Sequence, residues 1–353
     1  MKILGIDMGW SKSVSCLLDS GTGEGVYQAI VTGKEPFARR IEQAHCDLVV
    51  IEAGPMAGWV RDLCEQRNQK LLVLNTSDEP WLWQKVKKKT DRQDALKLCR
   101  LAMMQQGSQV HVPRQEVRQQ RQLIFYRDTL MSEMTSIKNR LRAVLLQEDI
   151  RLASGKKAWT GEDYKKLVAM GRELSECGGE ESWRGIVKLE LERLEQLMQQ
   201  VQTVETKLNA LAKKDPRVQQ LQQVPGVGAR TAELVVAMID EPERFGRGRE
   251  VASYGGFTPK KYQSGKMDRD GRISRAGNGL LRKYLVQAAW SGKRACRQMQ
   301  EIYQRVRKNS PKRSKQAIVA VARHLLIWLW AMLRDGTDWK HQQRDKTQTM
   351  AMT

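Results

Sequence analysis

The hydrophobic pattern of the first hundred residues alternates short apolar runs with amphipathic segments. The short runs end at charged or glycine-rich turns, which predicts strands at residues 2–7, 14–18, 25–31, 47–52 and 70–75. The amphipathic segments predict helices at residues 35–44, 58–69 and 91–105. We therefore expect an α/β fold here, with the element order β-β-β-α-β-α-β-α of a ribonuclease H-like (RuvC-like) domain.

Carboxylates mark the ends of two of these strands and the start of one helix. Asp7 ends the first strand and Glu52 ends the fourth. In open α/β sheets, binding sites lie at the carboxyl ends of the strands. Asp91 and Asp94 follow Thr90, a predicted N-cap, so both fall on one face of the first helical turn. Taken alone, this second pair is typical of acids that compensate a helix dipole.

Two long helical patterns fill the middle of the chain. Residues 114–148 repeat apolar positions at 4-3-4-3 spacing, and a second segment repeats them from Leu194 to Leu211. This spacing predicts an antiparallel pair of helices or a coiled coil, formed within one chain or between two copies. Between the two helices, residues 154–185 are rich in Gly, Glu and Lys and are expected to form an irregular insertion.

The last third of the chain begins at Pro216 and is predicted to be mostly helical. Residues 221–235 are similar to a helix-hairpin-helix. In that motif, glycines such as Gly226 and Gly228 form a tight turn whose backbone N–H groups can meet a phosphate. A plain glycine-rich turn between two helices is the alternative.

Residues 316–333 form an apolar segment that predicts a helix. Its Trp328 and Trp330 are expected in a protein core. The chain has no uninterrupted apolar run of 18 residues, and Asp7 interrupts the first segment, so we expect no signal peptide. We expect no membrane partner and a cytoplasmic, nucleoid-associated location in a bacterium or archaeon. The polar tail, residues 341–353, is expected to be disordered.

The charge of the chain indicates a polyanionic partner. Lys and Arg number 61 against 40 Asp and Glu, for a net charge of +21. Residues 255–346 hold 22 of these cations and only 6 acids, so the partner should contact the C-terminal part heavily. Nucleic acid is the simplest such partner. Six scattered cysteines without a CxxC pair argue against a zinc site or a disulfide framework.

Four carboxylates, Asp7, Glu52, Asp91 and Asp94, are candidates for one metal site. Acids gathered at one sheet edge raise each other's pKa unless a cation compensates them. Mg²⁺ or Mn²⁺ takes oxygen ligands and leaves positions open for phosphate. Two such ions can stabilise the attacking and leaving oxygens of a phosphodiester exchange. Gly-Ile-Asp also opens actin-like nucleotide-binding folds, so Asp7 alone is weak evidence.

Ser264 is a second chemical candidate, because four basic residues lie close to it in sequence: Lys260, Lys261, Lys266 and Arg269. A serine hydroxyl becomes a useful nucleophile when its neighbours stabilise the alkoxide, and cations also stabilise charge growing on a phosphate. From the sequence spacing alone, the stronger interpretation is that Ser264 is an ordinary polar loop residue.

Ordered motifs run along nearly the whole chain. They are Gly5-Ile-Asp7, Val50-Ile-Glu52-Ala-Gly, Lys89-Thr-Asp91-Arg-Gln-Asp94-Ala, Val224-Pro-Gly-Val-Gly228, Ala252-Ser-Tyr-Gly-Gly-Phe-Thr-Pro259, Tyr262-Gln-Ser264-Gly and Ile273-Ser-Arg-Ala-Gly-Asn278. Together these motifs resemble one known family, the DEDD transposases and recombinases of the insertion-sequence-110 family, which includes the pilin-gene invertase.

The resemblance implies three domains: a RuvC-like DEDD domain at 1–110, a coiled-coil arm at 111–215, and a transposase domain at 216–340. It implies that the four acids hold Mg²⁺ or Mn²⁺ and that Ser264 attacks DNA to form a covalent phosphoserine. A non-coding bridge RNA would guide target and donor DNA, with homodimers assembling into a homotetramer. The serine could come from the same subunit as the acids or from a partner.

The residues expected to contact nucleic acid are basic side chains and turn glycines, namely Lys87, Lys88, Lys89, Gly226, Gly228, Arg230, Lys260, Lys261, Lys266, Arg269, Arg272 and Arg282. One alternative is a RuvC-like junction nuclease that hydrolyses DNA with the acids and forms no covalent intermediate. Another is a non-enzymatic DNA-binding protein, against which the four acids argue.

Overall fold

The computed structural model describes residues 1–75, 90–155, 158–264 and 267–339. The chain divides into two compact units, Met1–Gln119 and Gln120–Thr353. The predicted boundary between an arm and a C-terminal domain falls inside the second unit and stays a prediction. The predicted disordered tail lies outside the described residues.

A five-stranded mixed sheet forms the centre of the first unit. Its strands are β1 (Lys2–Asp7), β2 (Lys12–Asp19), β3 (Gly25–Val31), β4 (Leu48–Glu52) and β5 (Leu71–Leu74). They lie in the order β3-β2-β1-β4-β5, with β1 antiparallel to β2 and parallel to β4. The five predicted strands and the α/β class are confirmed.

Helices cover both faces of this sheet: α1 (Lys34–Ala44) and α2 (Ala57–Gln66) on one face, and α3 (Asp91–Met103) on the other. Successive strand residues point to opposite faces. Leu4 and Ile6 accordingly join the core beneath α1 and α2, whereas Ile3 joins the core beneath α3. A strand buried on both faces needs a continuous apolar sequence, which is the pattern of β1 and β4.

The second unit is largely helical. Its described helices are α4 (Gln115–Gln147, which starts in the first unit), α5 (Gly161–Met170), α6 (Ser182–Lys214), α7 (Pro216–Gln222), α8 (Ala229–Ile239), α9 (Gly248–Tyr254), α10 (Gly279–Gly292), α11 (Arg297–Arg307) and α12 (Ser314–Asp335). One continuous cluster of buried apolar side chains runs through them.

Helices α4 and α6 pair in opposite directions. Arg127 contacts Glu205 near one end of the pair, and Arg140 donates to Glu190 at 2.8 Å further along. Most of the apolar positions that predict the pairing are buried, including Leu141, and the others are partly buried. The intramolecular pair, one of the two predicted alternatives, is therefore observed. Pairing between two copies stays a prediction.

The predicted irregular insertion at 154–185 contains regular structure, so that prediction was wrong in part. Helix α5 packs on α6 and buries Leu167 completely. Helix α6 itself begins within the stretch, at Ser182. Helix α5 is short, and four of its apolar residues form one unbroken run at Leu167–Met170, so the sequence shows no helical period. Its helical period becomes clear only when α6 supplies a surface for Leu167.

A two-stranded hairpin, β6 (Pro259–Ser264) and β7 (Met267–Ile273), lies in the glycine-rich, basic stretch of the C-terminal part. The sequence pattern predicts no strand there, because charged and polar residues fill both faces of the hairpin. Backbone pairing between the two strands stabilises it where an apolar face is lacking. The candidate nucleophile Ser264 is the last residue of β6.

Helix α12 is the apolar segment predicted near the C-terminus. By length and composition, the helical stretch Pro311–Asp335 could cross a membrane, with a mean hydropathy of 1.6. However, 56% of that window is buried inside the protein. Trp328 and Trp330 are both buried, and the Trp330 indole donates to the carbonyl oxygen of Pro242 at 2.9 Å. The prediction that these tryptophans belong to the core is confirmed.

Glu233 is a completely buried carboxylate on α8. Its Oε2 accepts a hydrogen bond from Arg230 at 2.7 Å, whereas Oε1 has no partner among the described residues. Burial is the main cause that raises the pKa of Glu233 to about 7, and the Arg230 guanidinium opposes that shift. Between about pH 4.5 and pH 7, the folded protein therefore keeps a proton on Glu233 that the unfolded chain loses.

We expect Glu233→Gln to stabilise the protein at pH 8 and to change little at pH 4. Because the folded-state pKa is raised, stability falls as pH rises from about 4.5 to 7, and an amide removes this loss. The gain is on the order of 3 kcal/mol at most. Urea unfolding at the two pH values measures it. Glu192→Gln, which changes an exposed acid on α6, is the control. Parallel pH profiles for Glu233→Gln and the wild type would contradict the prediction.

Candidate active site

Asp7 and Glu52 lie side by side at one edge of the sheet. Strands β1 and β4 are parallel neighbours, and their register pairs Ile6 with Ile51. Each acid is the next residue and the last of its strand. Neighbouring strands lie about 4.8 Å apart, so the two carboxylates are within reach of a common ligand. Both are partly buried, which leaves them open to solvent from the edge.

Helix α3 runs antiparallel to β1 and brings its first turn toward the same edge. A Cβ atom on Gly5 would lie 2.4 Å from the carbonyl oxygen of Ala95, so the helix touches the strand there. The Gly5 amide donates to Cys99 Sγ at 3.1 Å, and that thiol donates to the carbonyl oxygen of Ile3 at 3.6 Å. Moving forward along α3 therefore means moving back along β1, away from Asp7.

Asp91 and Asp94 stand in the first turn of α3, as predicted. The Thr90 hydroxyl accepts a hydrogen bond from the Gln93 amide at 3.4 Å, which confirms Thr90 as the N-cap. Asp94 is partly buried and Asp91 is exposed. The first turn of α3, with Asp94 and the more exposed Asp91, therefore lies toward the sheet edge at which Asp7 and Glu52 end their strands.

This group of carboxylates fits a hard divalent cation. All four offer oxygen ligands, the kind that Mg²⁺ and Mn²⁺ prefer. They come from two strand ends and one helix turn, which are rigid elements. Their partial exposure leaves room for phosphate oxygens to complete the coordination. The candidate metal centre would thus be held by Asp7, Glu52, Asp94 and, from the rim, Asp91.

A cleft of about 520 Å³ lies beside the first turn of α3 and is lined by Lys12, Tyr27, Asp91 and Arg92, among others. The Arg92 guanidinium lies 5.8 Å from the centre of the Tyr27 ring. Cations and an exposed aromatic ring next to a carboxylate site are suited to a nucleic acid backbone with an accessible base. The sequence pattern does not indicate Tyr27, Lys12 and Arg92 as a group, because they come from three separate elements.

The second candidate centre is the basic hairpin of the other unit. Ser264 pairs with Met267 across the end of the hairpin, and Lys266 lies outside the described residues. A cleft of about 630 Å³ on the hairpin is lined by Lys260, Tyr262, Arg269, Arg272 and Arg275, among others. A cleft with so many cations and so few acids is suited to phosphate.

The Tyr262 ring is fixed on the hairpin. The Arg269 guanidinium lies 5.6 Å from the ring centre, and a Cβ atom on Gly271 would lie 2.4 Å from the ring. Glycine at position 271 therefore leaves the space that the Tyr262 ring occupies. Lys261 faces Asp268 at 3.5 Å across the hairpin. Among the predicted nucleic acid contacts, Lys260, Arg269 and Arg272 share the basic cleft.

Two predicted nucleic acid contacts make intramolecular hydrogen bonds instead of extending freely. Arg230 binds Glu233 and also Asn209. Arg282 donates to the carbonyl oxygens of Gly277 at 2.7 Å and Gly255 at 3.2 Å, and burial lowers its pKa. Both guanidinium groups stabilise the fold in this structure, so their contact with nucleic acid stays a prediction.

The glycines of the predicted helix-hairpin-helix differ from each other. Gly226 has φ of +87°, and a Cβ atom there would lie 2.4 Å from the carbonyl oxygen of Ala288 in α10. Turn conformation and close packing thus require this glycine. Gly228 is the N-cap of α8, and the space around its Cα is open. It is the better placed of the two to meet a phosphate. Lys87, Lys88 and Lys89 lie outside the described residues.

Two family models match the chain. One, for transposases of the DEDD type in IS110 elements, matches residues 4–148. The other, described as the transposase IS116/IS110/IS902 family, matches residues 218–304. The first match includes all four candidate acids, and the second includes the hairpin with Ser264.

Curated transposases are similar to the chain over most of its length. A putative transposase of Sinorhizobium fredii is 26% identical over 354 residues, covering 97% of this chain and 87% of the relative. The transposase for insertion sequence element IS1111A of Coxiella burnetii is 26% identical, covering 82% and 77%. An uncharacterized 43.6 kDa protein of insertion element IS110 in Streptomyces coelicolor is 32% identical over 139 residues, or 39% of this chain and 34% of the relative.

Proposed function

The chain belongs to the IS110 family of transposases, and on that premise we propose that it exchanges DNA strands through a covalent serine intermediate, guided by a non-coding RNA. A transposase cleaves and rejoins DNA, so the chain is an enzyme. The observation that carries the finer proposal is the meeting of Asp7, Glu52 and Asp94 at one sheet edge, in a chain that also presents Ser264 on a basic hairpin.

The four acids are proposed to form a RuvC-like metal site. Asp7 and Glu52 end parallel neighbouring strands, and the first turn of α3 faces the same edge. A divalent cation bound there would supply positive charge to phosphate oxygens. The carboxylates hold that charge in place and orient the DNA backbone. The cations of the neighbouring cleft, Lys12 and Arg92, attract the same backbone.

Ser264 is proposed as the nucleophile. As its oxygen bonds to phosphorus, the hydroxyl loses its proton and the bond from phosphorus to one DNA oxygen breaks. That oxygen takes up a proton and leaves as a hydroxyl. Lys260, Arg269 and Arg272 line the cleft on the same hairpin and would stabilise the negative charge that grows on the phosphate. Attack by a hydroxyl from another strand reverses the step and frees the serine, so no nucleotide cofactor is needed.

Target choice is proposed to come from a bridge RNA whose loops pair with target and donor DNA. A homodimer assembling into a homotetramer would hold the two DNA molecules. The family resemblance supports both points, and the net charge of +21 suits a protein that binds two kinds of nucleic acid. Ser264 and the four acids would take part in the same strand exchange. They could belong to one subunit or to two different subunits.

Removal of RNA is expected to stop recombination. The purified protein should recombine a donor and a target DNA when the element's non-coding RNA is present, and RNase treatment should reduce the product to background. Adding fresh RNA after RNase removal should restore it. A reaction with heat-inactivated RNase is the control. Full recombination of naked DNA by RNA-free protein would refute the RNA dependence without affecting the assignment of Ser264.

A further inference from the structure

The helical pair α4 and α6 carries, beside the middle of α6, an aromatic cleft that the strand-exchange chemistry does not use. It has a volume of about 460 Å³ and lies where α5 meets α6. Trp159 and Tyr164 form its aromatic walls, Leu194 and Met198 are apolar lining residues, and Lys138 comes from α4. Met198 is 51% exposed, so the cleft opens to solvent.

Two cations hold Trp159 from the side of α4. Lys138 Nζ and the Arg142 guanidinium each lie 5.2 Å from the centre of the indole ring. The two residues are four positions apart on the helix, so they share one face. An indole ring with two positive charges near it is a site where an aromatic group can stack while its attached phosphate is neutralised.

The backbone at Trp159 is held in an unfavourable conformation. Its φ is +62°, in the left-handed region that bulky side chains rarely adopt. Its amide donates to Asp163 Oδ2 at 3.2 Å, and Asp163 is buried in the start of α5. Holding the indole at the cleft therefore strains the backbone, and such strain is common at binding sites.

The polar groups of the cleft suit the edge of a nucleobase. The Tyr164 hydroxyl donates to Glu195 Oε1 at 2.5 Å, and burial together with Glu195 raises the pKa of Tyr164 to about 12. The phenol is neutral at pH 7, as any tyrosine is, and the hydrogen bond to Glu195 fixes its position. Thr160 and Gln199 add a hydroxyl and an amide to the lining. Such groups can donate to and accept from the ring nitrogens and exocyclic groups of a base.

From these contacts we infer that the cleft between α5 and α6 binds an unpaired nucleobase of a single-stranded nucleic acid, stacked on Trp159, with its phosphate near Lys138 and Arg142. A base within a duplex cannot stack on Trp159, because the neighbouring base pairs of the duplex cover both of its faces. The volume lies within the range of small-ligand sites, roughly 300–1,000 Å³. This inference rests on the proposed function only in that the protein meets nucleic acid.

Photocrosslinking tests the site directly. The full-length protein is irradiated with short single-stranded oligonucleotides that carry 5-iodouracil, one of RNA and one of DNA, and the crosslinked peptides are mapped. We expect crosslinks at Trp159 or Tyr164, and about a tenfold loss of yield in Trp159→Ala. Trp159→Phe keeps a ring and should retain most of the yield. The stronger of the RNA and DNA arms identifies the source of the base.

Trp183→Ala is the matched control. Trp183 also lies on this helical pair, with the Arg184 guanidinium 4.6 Å from its ring centre, but it does not line the cleft. Its loss should leave the crosslink unchanged, and circular dichroism checks that each variant is folded. Crosslinks confined to other peptides, equal yields from folded Trp159→Ala and wild type, or a duplex that crosslinks as well as a single strand would overturn the inference. DNA cleavage by these variants is measured in a separate assay. A negative crosslinking result would therefore not bear on the proposed role of Ser264.

Discussion

Replacement of Ser264 by alanine is expected to abolish recombination and every covalent protein–DNA adduct, while DNA binding persists. The hydroxyl is the group proposed to bond to phosphorus, and alanine offers no atom that could replace it. Loss of a nucleophile reduces turnover by about a thousandfold or more. Ser264 is at the end of β6, so a smaller side chain should leave the hairpin intact. A denaturing gel with end-labelled DNA measures the adduct, and a gel-shift assay measures binding.

Ser253→Ala is the control for this experiment. Ser253 is an exposed serine at the end of α9, a few residues before the hairpin. Its loss should leave the adduct at the wild-type level. An undiminished adduct in Ser264→Ala would reject the assignment of the nucleophile and would favour another hydroxyl of the same stretch.

Replacement of Asp7 or Asp94 by alanine is expected to reduce DNA cleavage roughly a thousandfold, because several kcal/mol of charge stabilisation are lost. The two residues come from different elements that meet at one sheet edge, so each removal should disable the same step. EDTA should have the same effect on the wild type, and added Mg²⁺ or Mn²⁺ should restore activity. Cleavage of labelled DNA with and without the metal provides the measurement.

Asp19→Asn provides the matched control for the acids. Asp19 also ends a strand, but β2 runs antiparallel to β1, so Asp19 pairs with Lys2 at the opposite edge. Its substitution should leave cleavage and metal dependence unchanged. Full cleavage in EDTA, or full activity of Asp94→Ala, would reject the metal site while leaving the role of Ser264 open to its own test.

The first unit is the part of the fold that its sequence predicts best. Strands β1 and β4 are buried on both faces, which requires a run of apolar residues in each strand. Each run ends at a single acid. The predicted N-cap Thr90 likewise has a local cause, because its hydroxyl satisfies an amide of its own first turn. Features that depend on near neighbours in the chain are therefore readable without a structure.

Features that show no apolar period of their own were missed, and packing gives two predicted nucleic acid contacts an additional structural role. Helix α5 needs the surface of α6 to bury Leu167, and the basic hairpin has no apolar face to mark its strands. Arg230 and Arg282 read as cations for nucleic acid, yet the first pairs with buried Glu233 and the second with backbone carbonyls. Only packing decides whether an arginine faces solvent or holds the fold together.

Mapping of the covalent adduct shows which residue, if any, bonds to DNA. The wild-type protein is incubated with RNA, Mg²⁺ and labelled DNA, denatured, digested with protease, and the nucleotide-bearing peptide is sequenced by mass spectrometry. We predict that the nucleotide is attached to Ser264, in a peptide from the hairpin β6–β7. Cleaved DNA with free hydroxyl and phosphate ends and no attached peptide would contradict the account, and it would identify the protein as a hydrolytic junction nuclease that uses its acids alone.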